Sequence, residues 1–353
     1  MNKIKLLQKI FIIMLSAAFL ILTVIDPTAS KKGITDGLLL CGSVIIPSLF
    51  PFTVFSLLIY NTLCEIDFKK ANKIFFKIFH LNVNAFLIFL MSMFGGYPVG
   101  AKLISKACKE KSISTENANI LLPVCVNAGP SFVIIAVGYA VLNSITLGTV
   151  LLTADLLACI QIYLFVRNRL SEDYMPPQSI KKSGFAEIFV NTVADSSAAI
   201  LNICAFTTIF SCIINTLKSV LKNKTVIFLI TYPLEVSNTA LNNKNIYLLA
   251  FIIGFGGICV IFQIISISSH FYKKIGRLFI VRIIHGVLAV FNTAVIIKIF
   301  KITVPTISNT YNSILRFNTL NTKLSVILTF LALLLLISVS YKKYSGVFKK
   351  DIL

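Results

Sequence analysis

The chain has 353 residues, 57% of them hydrophobic and only 13% charged, with a mean hydropathy of +0.89. That composition excludes a soluble globular protein, because too few charged side chains are present to cover a water-facing surface. The net charge of +20 is scattered over nearly every polar loop, which fits a positive-inside bias and contact with anionic lipid rather than binding to nucleic acid.

Eight cysteines occur without a CxxC pair or a close Cys/His pairing, and most lie inside apolar runs (Cys41, Cys125, Cys159, Cys204, Cys212, Cys259). Free cysteine there behaves as a small hydrophobe, so neither a disulfide framework nor a metal site is expected. No cofactor is expected. A membrane span takes about 20 predominantly apolar residues. Runs of that kind lie near 6–25, 37–60, 82–104, 117–141, 145–166, 193–217, 246–267, 278–300 and 324–341. They predict an all-α, polytopic membrane protein of about seven to nine hydrophobic segments.

Lys3, Lys5 and Lys9 precede the first run, and Thr28-Ala29-Ser30 is only a loose cleavage site, so residues 1–32 read as an uncleaved anchor. Pro47 and Pro51, four residues apart in the next run, predict a kinked or interrupted helix. Phe94-Gly95-Gly96-Tyr97-Pro98-Val99-Gly100-Ala101-Lys102 then breaks the third run. Backbone freed from a helix at membrane depth has to be satisfied by protein or by a water-filled cavity, so such a break marks a site. Pro98 suits the first turn of a second half-helix, whose N-terminal N–H groups carry partial positive charge and suit an anion. Lys102, one turn on and with no acidic residue nearby in sequence before Glu110, is expected to meet the carboxylate of a solute.

Further on, Asn127-Ala128-Gly129-Pro130-Ser131 forms another breakable polar stretch; Asn127 and Ser131 could bond a solute or join helices. Asp155 stands alone in an apolar run and is an ion or proton site or a buried carboxyl at a helix interface. Residues 167–192, with Pro176-Pro177, form a linker. The short run Val226–Leu234 leads into Glu235, which lies beside the hydroxyl of Ser237 and the amide of Asn238 and reads as a cation or substrate ligand or as part of a surface loop. Phe255-Gly256-Gly257 repeats the first break at an offset of 161 residues, and the same offset carries 37–60 onto 198–221, 117–141 onto 278–302, and Lys102 onto Gln263. An internal duplication follows, with repeats at 33–166 and 193–302 and a C-terminal loop and last helix at 303–353. His270, Lys273, Lys274, Arg277 and Arg282 read as a juxtamembrane, lipid-facing basic patch, and His285, three residues after Arg282, as a packing histidine rather than a proton carrier.

Counting Lys and Arg on each side tests the topology. Two crossing Gly-Gly segments divide the basic residues about 15 to 18, a re-entrant first segment with a crossing second about 23 to 10, and two re-entrant segments about 19 to 14. The bias supports a re-entrant first segment, with the N-terminus and residues 61–80 cytoplasmic. Only two re-entrant segments would give repeats of inverted topology.

The strings Pro47-Ser48-Leu49-Phe50-Pro51-Phe52, Gly95-Gly96-Tyr97-Pro98-Val99-Gly100-Ala101-Lys102, Asn127-Ala128-Gly129-Pro130-Ser131-Phe132, Leu234-Glu235 and Gly254-Phe255-Gly256-Gly257 carry a resemblance to the YlbJ-type sporulation integral membrane proteins, within the broader group that bears a nucleoside-recognition, or gate, domain. Thr239 departs from the glycine expected after the acidic motif. The resemblance implies a multi-pass bacterial cell-membrane protein, with a membrane around the forespore as one location. Its function would be movement of a small anionic or nucleoside-like solute, with dipicolinate a candidate cargo, or a non-transporting scaffold in spore envelope assembly. Expected partners are membrane lipid and a small-molecule solute, a homo-oligomer staying open. No HExxH, GxSxG or recognisable intramembrane aspartate pair is present, so an enzyme is not expected. The residues expected at the substrate are Gly95, Gly96, Tyr97, Pro98, Lys102, Asn127, Ser131, Gly256, Gly257 and Gln263, with Asp155 and Glu235 as ion or proton sites.

Overall fold

The computed structural model describes residues 3–64, 69–172, 184–241 and 243–304. The expected last helix at 324–341 and nearly all of the 303–353 region lie outside the described residues, as do 173–183 of the linker. The described elements are helical, with no strand among them. Five are long and apolar enough to span a membrane: Pro27–Leu63, Ile145–Arg169, Phe185–Val220, Ile246–Ser268 and Ile275–Phe300. A sixth is reached if two helices that meet at 58°, within Ala71–Gly95, form one span. The chain is thus a polytopic helical membrane protein.

Helix α1 (Lys3–Ile25) ends where Asp26 caps α2 (Pro27–Leu40) by accepting from Ala29 N. A π-helical turn, Cys41–Ile45, joins α2 to α3 (Ile46–Cys64). The two prolines therefore do not interrupt the span: Pro47 falls in the first turn of α3, where its missing N–H costs little, and Pro51 lies within the helix. Gly33 and Gly37, spaced as GxxxG, let α2 lie against α9 (Phe185–Val220). A Cβ on Gly33 would come within 2.6 Å of Cys212 Cα, and one on Gly37 within 2.7 Å of Thr208 Cα. Small residues at this spacing are what close helix packing in lipid requires, and Ser30 and Thr216 hydroxyls, 3.1 Å apart, join the same seam.

Residues 69–79, expected as part of a loop, form α4 (Lys69–Phe79), with lysines on one side and Phe and Ile on the other, the pattern of an interfacial helix. Helix α5 (Val83–Gly95) begins at the Asn82 cap, and α6 (Tyr97–Lys109) follows after Gly96. The two fold back on one another. A Cβ on Gly100 would sit 2.8 Å from Ser92 Cβ, whereas eight residues along one straight helix span about 12 Å. At the far end Asn82 Nδ2 donates to Ser112 O at 3.4 Å, closing the pair into a hairpin with both ends on one side. This is the shape of a re-entrant segment.

The second Gly-Gly segment behaves differently. Helices α12 (Ile246–Phe255) and α13 (Gly257–Ser268) run on as one apolar span of 23 residues. The break recurs at the expected offset, but the flanking halves take unlike directions. An inverted relation that needs both segments to turn back is therefore not the arrangement seen. The remaining described helices are α7 (Thr115–Leu121), α8 (Ile145–Val166), α10 (Lys224–Thr231), α11 (Val236–Leu241) and α14 (Ile275–Phe300).

Candidate functional site

Three interruptions of helix meet inside the bundle. Gly96 (φ 83°), Gly256 (φ 83°) and Gly257 (φ 81°) adopt backbone angles that glycine takes without steric cost. Between α7 and a second π-helical segment, Ser131–Tyr139, residues 122–129 are irregular and buried. Gly129 presses against Gly96, where a Cβ would lie 3.3 Å from Gly129 N. Tyr97 ties the first break to the third, its hydroxyl donating to Ile253 O at 2.6 Å. Irregular backbone is admitted here because it is enclosed by protein.

At the third break the free N–H groups are already used. Ile258 N donates to Pro233 O and Cys259 N to Leu234 O, both at 2.8 Å, so the turn ahead of Glu235 caps α13. Gly256 and Gly257 shape this junction and do not line the adjoining cavity.

That cavity lies between the broken helices. Tyr97 and Pro98 of α6, Gly129 and Phe132, Glu235, Val236 and Ser237, and Val260 and Gln263 of α13 line it, together with Ile45, Ser48 and Leu49 on the α2–α3 side and Ile203 and Thr207 of α9. Four of the expected residues therefore come together at it: Tyr97, Pro98, Gln263 and Glu235. Ser237, beside Glu235 in the sequence, adds a hydroxyl, and Ser48 and Thr207 add two that sequence reasoning did not single out; their only prior signal was small polar side chains within apolar runs. Glu235 is 1% exposed and accepts from Ser237 N at 3.0 Å; it is the acidic side chain of this described lining. Gln263 is buried, its amide donating to Cys259 Sγ at 3.3 Å.

Lys102 is elsewhere. Its ammonium donates to Asp195 Oδ1 of α9 at 3.2 Å, in a pair that remains partly exposed. The expectation that Lys102 lacks a protein counter-ion is thus corrected: the partner comes from α9, 93 residues away. Asn127 is fully buried and braces the irregular segment, its Nδ2 lying 3.4 Å from both Ser92 Oγ and Val124 O. Gly95, Gly96 and Ser131 also serve the packing around the breaks and are not among the cavity's lining residues.

Asp155 lies behind Tyr97 in a buried polar cluster. Arg282, expected at the lipid-facing surface, is 0% exposed. Its guanidinium donates to the carbonyls of Phe255 (3.1 Å), Gly254 and Val126 and to His285 Nδ1 (3.2 Å). His285 Nε2 faces Asp155, 2.9 Å from Oδ1 and 3.0 Å from the main-chain oxygen, and Asp155 Oδ2 accepts from Ala128 N at 3.2 Å. Arg282 thereby places a positive charge on the C-terminal carbonyls of α12 and on the irregular 122–129 segment, where the helix dipole and unpaired acceptors favour one. The burial corrects the patch assignment, because α14 packs Arg282 against the end of α12 and the 122–129 segment, and His285, three residues on, against Asp155 of α8. A basic residue inside an apolar run, a turn before a histidine, was the signal available in sequence. His270, Lys273 and Lys274 do remain exposed. Among the described residues no group of three or more His, Cys, Asp or Glu is placed to hold a metal.

Neither a family model nor a solved structure matches the chain. Among curated proteins it is similar to the sporulation integral membrane protein YlbJ of Bacillus subtilis (strain 168), with 25% identity over 335 residues covering 80% of this chain and 82% of that one. At the level of the family, this similarity bears out the resemblance to the YlbJ-type sporulation integral membrane proteins that the motifs carry.

Proposed function

We propose that the protein carries a small, nucleoside-like solute through a bacterial membrane, acting in sporulation. The observation behind this reading is the partly open cavity of about 30 Å³ where α6, α13 and the turn before α11 meet, because helix breaks converging on a pocket are how solute sites are built in secondary transporters, and the pocket widens as the broken helices move apart. Tyr97 and Phe132 offer ring faces for a base, Gln263 an amide for its hydrogen-bonding edge, and Ser48, Thr207, Ser237 and Glu235 acceptors for sugar hydroxyls. An anion is the weaker fit, since no Lys or Arg is among the described residues that line the cavity and Lys102 is held by Asp195 outside it.

Purified protein in proteoliposomes, offered labelled nucleosides and aromatic acids including dipicolinate, tests the reading. Saturable uptake of a nucleoside, competed by excess unlabelled nucleoside, is expected. Uptake of none of the panel above protein-free vesicles would contradict transport and favour a scaffold in the spore envelope.

A further inference from the structure

The cluster behind Tyr97 contains a histidine whose two ring nitrogens face opposite charges. Nε2 points at Asp155, so it carries the ring hydrogen and donates. Nδ1 faces Nη1 of Arg282 at 3.2 Å; a guanidinium only donates, so Nδ1 offers its lone pair. All three side chains are fully buried, and the rest of Arg282 is spent on the carbonyls of Val126, Gly254 and Phe255. A proton arriving at Nδ1 would take the lone pair that Arg282 now uses, leaving two cations face to face. One of them has to move. Arg282 is the group that joins the 122–129 break to the 254–257 break, so its movement changes how the two broken segments are held together.

We propose that Nδ1 of His285 is a proton-binding site that couples protons to solute movement, displacing Arg282 when occupied. The bound proton forms one N–H bond at Nδ1 and is released as that bond breaks, with water on the two sides of the membrane as source and sink. Asp155 keeps the ring oriented and offsets the imidazolium charge. The groups that face His285 are Asp155 from α8 and Arg282 from its own helix; beside Arg282 lie Tyr97 of α6 and Cys159 of α8. Glu235 lies within electrostatic reach of Tyr97. The link to the solute is the Tyr97 ring, which lines the cavity and has the guanidinium carbon of Arg282 at 5.8 Å from its centroid. In many broken-helix transporters carbonyls freed at the breaks receive a metal cation. Here Arg282 occupies them, and the exchangeable charge is the proton.

The proposal rests on the transport reading for its cycle, but its proton site is tested apart from it. The chain has three histidines, His80, His270 and His285. Full-length protein carrying His80→Asn and His270→Gln, labelled with ¹⁵N-histidine and held in lipid bilayers, leaves one imidazole to observe without touching the core. Its Nδ1 resonance should pass from the neutral to the protonated position between about pH 4 and about pH 9, the range in which a histidine changes charge. Adding Arg282→Lys should move the midpoint upward, because a flexible ammonium gives way to the imidazolium more readily. A resonance that stays neutral throughout overturns the proposal, whatever the uptake assays find. In proteoliposomes, an inward gradient of one pH unit should concentrate uridine up to about tenfold and a protonophore should abolish the gain, since one proton per cycle carries a tenfold ratio. Titration with uridine uptake indifferent to the gradient overturns the coupling. Titration with no uptake of any probe solute upholds the proton site and removes the transport reading instead.

Discussion

At Gly100 one hydrogen atom decides whether α6 can lie against the irregular 122–129 segment. A Cβ there would overlap the carbonyl oxygen of Cys125, a backbone atom that cannot turn aside. Gly42, in the π-helical turn, has nothing within 4 Å of such a Cβ. Gly100→Ala should therefore lower unfolding stability in detergent by about 3 kcal/mol, the upper end of overpacking costs, while Gly42→Ala stays within about 0.5 kcal/mol of the parent. Equal stability of the two variants would show that α6 does not approach the segment so closely. Single residues were unevenly legible in the sequence. Asp155 stood out because a lone carboxylate in an apolar run has few innocent explanations. Arg282 did not, since four basic or titratable neighbours between His270 and Arg277 made it look like surface. Lys102 was identified as unusual, but the ion pair with Asp195 spans the two halves of the chain and leaves no local trace.

Among the elements, the α5–α6 hairpin was readable from the distribution of Lys and Arg, because lipid charge asymmetry acts on loops whatever the helices between them do. It predicts that single cysteines replacing Lys73 and Lys109, both exposed, in a background without native cysteines, react with an impermeant reagent from the same side. Reaction from opposite sides would mean that the segment crosses. The continuous course of α12–α13 was not readable. It depends on Gly257 at positive φ and on carbonyls of Pro233 and Leu234 capping α13, contacts that a Gly-Gly pair does not announce. The α2–α9 seam gives a second check. Cysteines at positions 30 and 216, whose hydroxyls now lie 3.1 Å apart, should cross-link on oxidation. Adding Gly33→Val should abolish the bond by pushing α2 off Cys212; a bond that forms equally well would exclude this packing.

For the whole molecule, the repeat offset located two helix breaks that fold in unlike ways around a shared centre. Their divergence gives that centre two different walls: a hairpin tip carrying Tyr97 and Pro98, and a continuous span carrying Gln263, with the Glu235 turn between them. Composition sufficed for a helical membrane protein. The cavity did not follow from it, because Thr207, Phe132 and Ser237 reach it from elements far apart in sequence. The central claim is that this cavity, and not Lys102, holds the solute. Uptake of labelled uridine by proteoliposomes should fall by about tenfold or more in Gln263→Leu, which removes the amide from the cavity at similar volume, the loss of a buried polar contact being worth about 1 to 3 kcal/mol. In Lys102→Gln, which breaks only a part-exposed ion pair, uptake should stay within about twofold of the parent. Normal uptake in Gln263→Leu together with collapse in Lys102→Gln, both variants being folded, would contradict the account and move the solute about one turn along α6, to Lys102.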